Sequence, residues 1–301
     1  MGAQRQVPRV LSIAGSDSGG GAGVQADLKA FAACGAHGMT AITAITAQNT
    51  VGVRAIHHVP GDVIVAQVAA IVEDIGVDAI KVGMLGTVET IAAVIEALSL
   101  VPSTVPVVVD PVMVAESGAV LLEESARVAL VERLLPAATV VTPNLPEAVA
   151  LVGSRNQGGA ADGHHGRTGE ALGLVRAIHA LGPSCVVLTG GHGEVATDVY
   201  FDGKEMVEIP GPRYRNAATH GSGCTHSAAL AARLAAGDDP LRAARRARVI
   251  AADAVRRGLS EIGRGTGPVD VLGVARRSAR RPRPLAAETG ASPAPAGAPL
   301  T

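Results

Sequence analysis

The sequence predicts an α/β protein built on a central, mostly parallel sheet covered by helices on both faces. Two observations carry this. Short, mostly apolar runs at residues 10–14, 77–84, 105–109, 139–142 and 185–189 alternate with longer stretches whose apolar residues recur at helical spacing. Each run also ends in a glycine-rich or polar cluster, which is how strands of an open parallel sheet deliver ligand-binding groups from their carboxyl ends. With 301 residues the chain is long enough to bury a full-sized core, and it reads as one large domain over 9–273. From Arg276 onward arginines give way to Pro, Ala, Gly and Ser, so 274–301 is expected to be a disordered tail.

Composition excludes several classes. A formal net charge of −1 provides no basic field for nucleic acid or anionic lipid, and four aromatic residues (Phe31, Tyr200, Phe201, Tyr214) are too few to stack on bases. Cys34, Cys185 and Cys224 are widely spaced and odd in number, which argues against a disulfide framework and for a reducing compartment; the protein reads as cytoplasmic. The first nine residues lack an apolar signal region, and no run approaches the roughly 20 apolar residues of a membrane span.

Taken in order, the first apolar run meets Gly15-Ser16-Asp17-Ser18-Gly19-Gly20-Gly21-Ala22-Gly23, and Val24, Leu28 and Phe31 then recur at helical spacing up to Cys34. The glycines match a dinucleotide fingerprint only loosely, and Asp17 would repel a pyrophosphate. Its carboxylate is expected instead to receive hydrogen bonds from a substrate hydroxyl or amino group, which suits a neutral or cationic small molecule. Residues 37–47 alternate and are rich in β-branched side chains, a strand that ends at Gln48. An amide there can both donate to and accept from a heterocycle; the alternative is a solvated loop glutamine.

Residues 51–60 suggest a small flap, and 60–75 an amphipathic helix with Val63, Val68, Ile71, Val72 and Ile75 on one side. A strand over 77–84 carries Lys81, and a helix covers 86–100. The run 105–109 is continuously apolar, as a strand covered on both faces should be, and it ends at Asp110. Asp110 is a candidate to orient Mg²⁺ or its waters, or else it simply terminates the strand. After a helix over 123–135 and a strand over 139–142, Glu147 stands either as a second oxygen ligand of a weak, water-rich Mg²⁺ site or as a favourable acid in the first turn of the next helix.

The stretch 153–167 has no periodicity and reads as an exposed, mobile insertion; its His164 and His165 lack the framework of a metal site. A helix over 168–181 leads to the strand 185–189 and then to Gly190-Gly191-His192-Gly193, which leaves room for nucleotide phosphates beside Thr189. A hairpin over 195–209 follows. Next comes Thr219-His220-Gly221-Ser222-Gly223-Cys224, immediately before a small-residue helix. A helix that starts here aims its unpaired amides at the turn, a geometry that suits an anion in transfer; the alternative is an ordinary loop capped by Ser222. The last helix spans about 240–259.

Ala14-Gly15-Ser16-Asp17 with Gly20-Gly21-Ala22-Gly23 and Gln25-Ala26-Asp27, Ala47-Gln48-Asn49-Thr50, Lys81-Val82-Gly83-Met84-Leu85, Asp110-Pro111-Val112-Met113, Thr142-Pro143-Asn144-Leu145-Pro146-Glu147 and Thr219 to Cys224 occur together in one order. That ordered set, over roughly 9–273, resembles the hydroxymethylpyrimidine/phosphomethylpyrimidine kinases of thiamine biosynthesis, in the ribokinase-like superfamily. The resemblance implies a three-layer α/β/α fold and ATP-dependent phosphorylation of 4-amino-5-hydroxymethyl-2-methylpyrimidine, then of its monophosphate. By position it implies that Gln48 binds the pyrimidine in a pocket lined by Gly15, Ala22, Met84 and Val112. Asp110, Asn144 and Glu147 would hold Mg²⁺ and its waters near ATP, and Gly221, Ser222, Gly223 and Cys224 would form the anion hole. Cys224 stands where sugar kinases of the superfamily carry an Asp base, and at a helix N-terminus its thiol pKa is expected to fall, so that a thiolate accepts the hydroxymethyl proton or helps hold the phosphoryl group. Thr189 replaces a Lys found in many members, so phosphate neutralisation there must come from Mg²⁺ or backbone. A homodimer is expected by analogy. Pyridoxal or pyridoxine kinase activity within the same superfamily, or a pyrimidine-binding sensor that has lost transfer, are the alternatives.

Overall fold

The first strand, β1 (Arg9–Asp17), lies inside the sheet because it is apolar on both faces: Val10 packs into one layer, Leu11 and Ile13 into the other. The computed structural model describes residues 7–153, 167–190, 196–214 and 218–275. Parallel strands β2 (His37–Gln48) and β4 (Ala79–Val82) flank β1, and β5 (Val107–Val109), β6 (Val140–Val141) and β7 (Cys185–Leu188) extend the parallel run. Antiparallel β3 (Val53–His58) closes one edge and the hairpin of β8 (Ala196–Phe201) and β9 (Met206–Gly211) the other, giving, among the described residues, nine strands in the order 3-2-1-4-5-6-7-8-9. The chain leaves β1 in one direction to make β2 and returns past it to make β4. That reversal opens a crevice at the carboxyl ends of β1 and β4.

Helices α1 (Gly23–Ala33), α7 (Ser222–Ala235) and α8 (Pro240–Arg256) cover one face. The other face carries α2 (Gly61–Asp74), α3 (Val88–Ser99), α4 (Glu124–Ala129), α5 (Leu145–Gly153) and α6 (Arg167–His179). Local chemistry sets several starts. Thr87 caps α3 by accepting from the Thr90 amide, and Asp239 caps α8 by accepting from the Arg242 amide, with Pro240 in the first turn where no N–H is needed. Alanines Ala228, Ala229, Ala231 and Ala232 of α7 meet Ala30 of α1 and Ala243, Ala244 and Ala247 of α8, so these helices approach closely.

Three expectations need correction. In α2 the buried positions are Ile64 and Val68, whereas Val63 and Ile75 are 44% and 38% exposed. Apolar residues lie on most sides of this helix, so packing on α3 and β2, rather than periodicity, selects the inward face. The helix expected over 123–135 is α-helical only to Ala129; it widens into a π turn at Leu130–Leu134 and ends in a 3₁₀ turn at Leu135–Ala137, where Pro136 cannot continue an α ladder. The expected flap at 51–60 contains a regular edge strand, β3. The insertion with His164 and His165, nearly all of the tail, and Gly191 and His192 lie outside the described residues.

Candidate active site

At the end of β1 the chain turns through a loop organised around one buried carboxylate. Asp17 Oδ1 accepts from the Gly19 amide (2.8 Å), and Oδ2 accepts from the amides of Gly21 (3.0 Å) and Ala22 (2.8 Å). Oδ2 also accepts from His220 Nε2 at 3.0 Å, a bond between residues 203 apart in the chain. Oδ2 is therefore engaged by its own loop and by His220, whereas Oδ1 accepts from a single amide at the cavity wall and can accept a further bond, as the substrate contact expected from the sequence requires. Burial alone would raise this carboxyl, but the His220 hydrogen bond and the amides outweigh it and hold it below its ordinary value. The stabilisation is complete above the ordinary aspartate range and is lost only as pH falls through the depressed value, in strong acid.

The same histidine introduces the loop before α7, so the loops after β1 and before α7 are clasped together. Gly221, the N-cap of α7, has φ +81°, and a Cβ there would sit on the Gly21 carbonyl oxygen. His220→Ala leaves the buried Asp17 with amides only. It is expected to lower stability by about 1–3 kcal/mol, measured by denaturant unfolding; a change below about 0.5 kcal/mol would show that the clasp carries no weight.

Around this clasp, side chains from successive strand ends line one cavity of about 1080 Å³. Gly15, Ala22 and Gln48 form one side with Met84 and Val112. Gln48 is fixed by reciprocal bonds between its backbone and Ser18 Oγ, and its Oε1 accepts from Thr46 Oγ1 at 3.2 Å; its Nε2 has no hydrogen-bond partner among the described residues. Asp110, Asn144, Glu147, Thr189 and the Gly221–Cys224 turn line the rest. The structure thus brings together every sequence-predicted site residue that it describes.

Asn144 and Glu147 form a reciprocal capping box at the start of α5: Glu147 Oε2 accepts from the Asn144 amide and Asn144 Oδ1 from the Glu147 amide, both at 2.9 Å. Burial, and then the neighbouring Asp110 charge, push the Glu147 carboxyl up to about 8. Two mutually repelling carboxylates on one cavity wall fit a hard divalent cation. Among the described residues no three His, Cys, Asp or Glu side chains cluster as a metal cage, so such a cation would complete its shell with water and phosphate oxygens, as Mg²⁺ commonly does. Thr189 Oγ1 donates to the Pro143 carbonyl at 3.3 Å and provides no charge.

At the start of α7 the Ser222 amide turns back to the Thr219 carbonyl at 2.9 Å, whereas the Gly223 and Cys224 amides have no hydrogen-bond partner among the described residues. The amides left without a partner at the cavity are thus those of Gly223 and Cys224. The Cys224 thiol does not follow the helix-terminus expectation. Burial pushes it up to about 12, Lys81 pulls it down, and Asp110 and Asp27 push it up again. Cys34, Cys185 and Cys224 are all free, and Cys224 is half-buried. Spacing and strand-end position give no signal for His220, Ser227 or Lys81, which join the site through contacts distant in sequence; the only sequence hint is that His220 and Lys81 fall inside the ordered motifs.

A mostly parallel sheet with its switch point under a cavity, two acidic side chains on one wall and helix-terminal amides on the other fit the small-molecule kinases of the ribokinase-like class. The phosphomethylpyrimidine kinase family matches residues 17–270, most of the chain. The hydroxymethylpyrimidine/phosphomethylpyrimidine kinase of Rhizobium meliloti (strain 1021) is 47% identical over 267 residues, covering 86% of this chain and 95% of that protein. A thiamine biosynthesis bifunctional protein of Geobacter sulfurreducens is 44% identical over 87% of this chain, which spans 51% of its length. Among solved structures, an ADP complex of Bacillus subtilis pyridoxal kinase superposes with TM-score 0.78 at 36% identity, covering 90% of this chain and 99% of that one. A phosphomethylpyrimidine kinase of Clostridium difficile 630 gives TM-score 0.68 at 38% identity, covering 81% and 97%. The chain belongs to the phosphomethylpyrimidine kinase family, and it is a phosphotransferase.

Proposed function

We propose that this protein uses ATP and Mg²⁺ to phosphorylate the hydroxymethyl group of 4-amino-5-hydroxymethyl-2-methylpyrimidine and then the resulting monophosphate to the diphosphate, for thiamine diphosphate synthesis. The observation that carries the reading is that Gln48, at the end of β2, and Cys224, at the start of α7, line the same cavity, so one small alcohol can reach both neighbourhoods. The activity for which the Rhizobium relative is named supports the substrate.

In this reading the Gln48 amide pairs with the ring edge, while Gly15, Ala22, Met84 and Val112 enclose the ring. Gly15 suits that place because a Cβ there would lie 2.9 Å from Met84 Sδ. Asp110 and Glu147, the latter fixed by Asn144, hold the cation and its waters, and Thr189 lies along the nucleotide phosphates, with Gly191 and His192 proposed beside it. When bound, the cation neutralises charge on the β- and γ-phosphates. The Gly223 and Cys224 amides and the positive end of α7 face the transferred group, with Gly221 and Ser222 shaping the turn that presents them. Cys224 takes the hydroxymethyl proton in its thiolate form, or in its protonated form helps hold the transferred phosphoryl group.

Supporting a cytoplasmic setting are three free thiols, and among the described residues no helix is long and apolar enough to cross a membrane. We also propose a catalytic domain over 9–273 and, by family analogy, a homodimer. The likeness to Bacillus subtilis pyridoxal kinase favours pyridoxal as the second substrate to test. ADP release with the pyrimidine, its monophosphate and pyridoxal is expected to favour the pyrimidines at least about tenfold in kcat/KM; preference for pyridoxal overturns the assignment, and pyrimidine binding without ADP release marks a sensor. Gln48→Ala should raise KM for the pyrimidine about tenfold with a smaller change in kcat, and an unchanged KM would remove Gln48 from the ring contact.

A further inference from the structure

Against the cavity wall, which Lys81 helps to line, lies a buried Lys81–Asp27 pair to which the transfer reaction as described gives no role. Lys81, at the centre of β4, and Asp27, on α1, are both fully buried. Lys81 Nζ donates to Asp27 Oδ1 and Oδ2 at 3.0 Å each, and Ser12 Oγ donates to Asp27 Oδ2 at 2.6 Å. As a fold-stabilising device this is a poor choice, because desolvating two charges consumes most of their attraction and an apolar pair of similar volume is often as stable.

The pair also has a third neighbour. Lys81 Nζ stands 3.8 Å from Asp110 Oδ2, the oxygen that accepts from Ser227 Oγ at 2.9 Å. Ser227 sits three residues after Cys224 on α7. Asp110 is thus gripped, on a single oxygen, by an ammonium whose direction Asp27 sets and by a hydroxyl carried on the helix that bears Cys224. The oxygen left for the cavity is Oδ1.

Resting on the kinase reading above, we propose that Lys81 is a positioning residue for phosphoryl transfer: anchored by Asp27, it works with Ser227 to hold Asp110 through Oδ2, so that the carboxylate would be kept in place to hold the cation. An ammonium has three donors; two are spent on Asp27, and its remaining charge acts on both the Cys224 thiol and Asp110. The arrangement ties β4, β5, α1 and α7 to one carboxylate, so the cation wall and the amide wall are placed from a common point.

The test uses the full chain and Lys81→Met/Asp27→Asn, which removes both charges and leaves neither ion buried alone. Mn²⁺ binding in the presence of ATP is read by electron paramagnetic resonance, next to kcat and KM for the pyrimidine. The expected result is a folded variant with pyrimidine KM within about threefold of wild type, Mn²⁺ affinity down about tenfold and kcat down about 10- to 100-fold. A folded variant with Mn²⁺ affinity and kcat within about twofold of wild type overturns the proposal. If the double variant does not fold, Ser227→Ala decides. It removes the other grip on Oδ2, and a loss of Mn²⁺ affinity with pyrimidine KM unchanged supports the proposal, whereas wild-type Mn²⁺ binding and kcat overturn it. A wild-type chain that binds Mn²⁺-ATP yet never turns over pyrimidine defeats the kinase reading separately, and the Mn²⁺ comparison still tests Lys81.

Discussion

Cys224→Ala is expected to lower kcat for pyrimidine phosphorylation about 10²-fold while KM for the pyrimidine changes by less than about threefold. The split follows from where the thiol sits. It lies in the first turn of α7, the turn that presents the Gly223 and Cys224 amides to the cavity, so in the proposed reaction its removal touches transfer more than ring binding. The pH profile carries the second half of this result. With burial and the Asp110 and Asp27 carboxylates holding the thiol up at about 12 against the pull of Lys81, thiolate is scarce at neutral pH and its fraction grows tenfold per unit. Wild-type kcat should therefore climb between pH 7 and pH 10, values well below the thiol's own, and Cys224→Ala should flatten that climb. The same shift has a stability side. The folded protein favours the protonated thiol more than the unfolded chain does, so this contribution is present below the unfolded thiol pKa, about 8.5, and is lost as pH rises toward 12. A wild-type kcat that is flat with pH would show that Cys224 keeps its proton and only donates to the anion.

Gly221→Ala is expected to cut kcat/KM at least about 10²-fold and to lower Tm by at least about 4 °C. At φ +81° any other residue is strained, by about 1–2 kcal/mol, and the new Cβ would overlap the Gly21 carbonyl oxygen. Relief requires moving either the loop after β1 or the start of α7. Because Asp17 and His220 bind these two segments together, the displacement reaches the pocket wall and the amides at once. Calorimetry together with steady-state kinetics checks both halves, and wild-type values in both would mean that the two backbones are not packed as described.

Much of this architecture is legible in the chain itself. The strand runs are short, apolar and bounded by polar clusters, so the sheet, its two helical layers and the placement of Gln48 and Asp110 at strand ends, with Glu147 in the first turn of the helix after β6, follow from pattern. What pattern does not reveal is competition between forces. A helix terminus lowers a thiol pKa in isolation, and sequence position shows Cys224 there; it does not show the burial and the two carboxylates that overturn the effect. Asp17 looks available within a glycine loop, yet its partner His220 is 203 positions away. Lys81 reads as one polar interruption in an apolar strand until α1 supplies Asp27. The inward face of α2 is set by its neighbours because the helix is apolar on most sides.

The methyl-on-methyl seams of α7 against α1 and α8 carry a mechanical consequence. Alanine has no rotamers to adjust, so the helix that starts at the Gly223 and Cys224 amides cannot slide or tilt by swapping side-chain conformations along these seams; it can only part from its neighbours and leave gaps. Alignment is therefore stored in close-packed helices, and on warming the turns around the cavity should loosen before those helices shift.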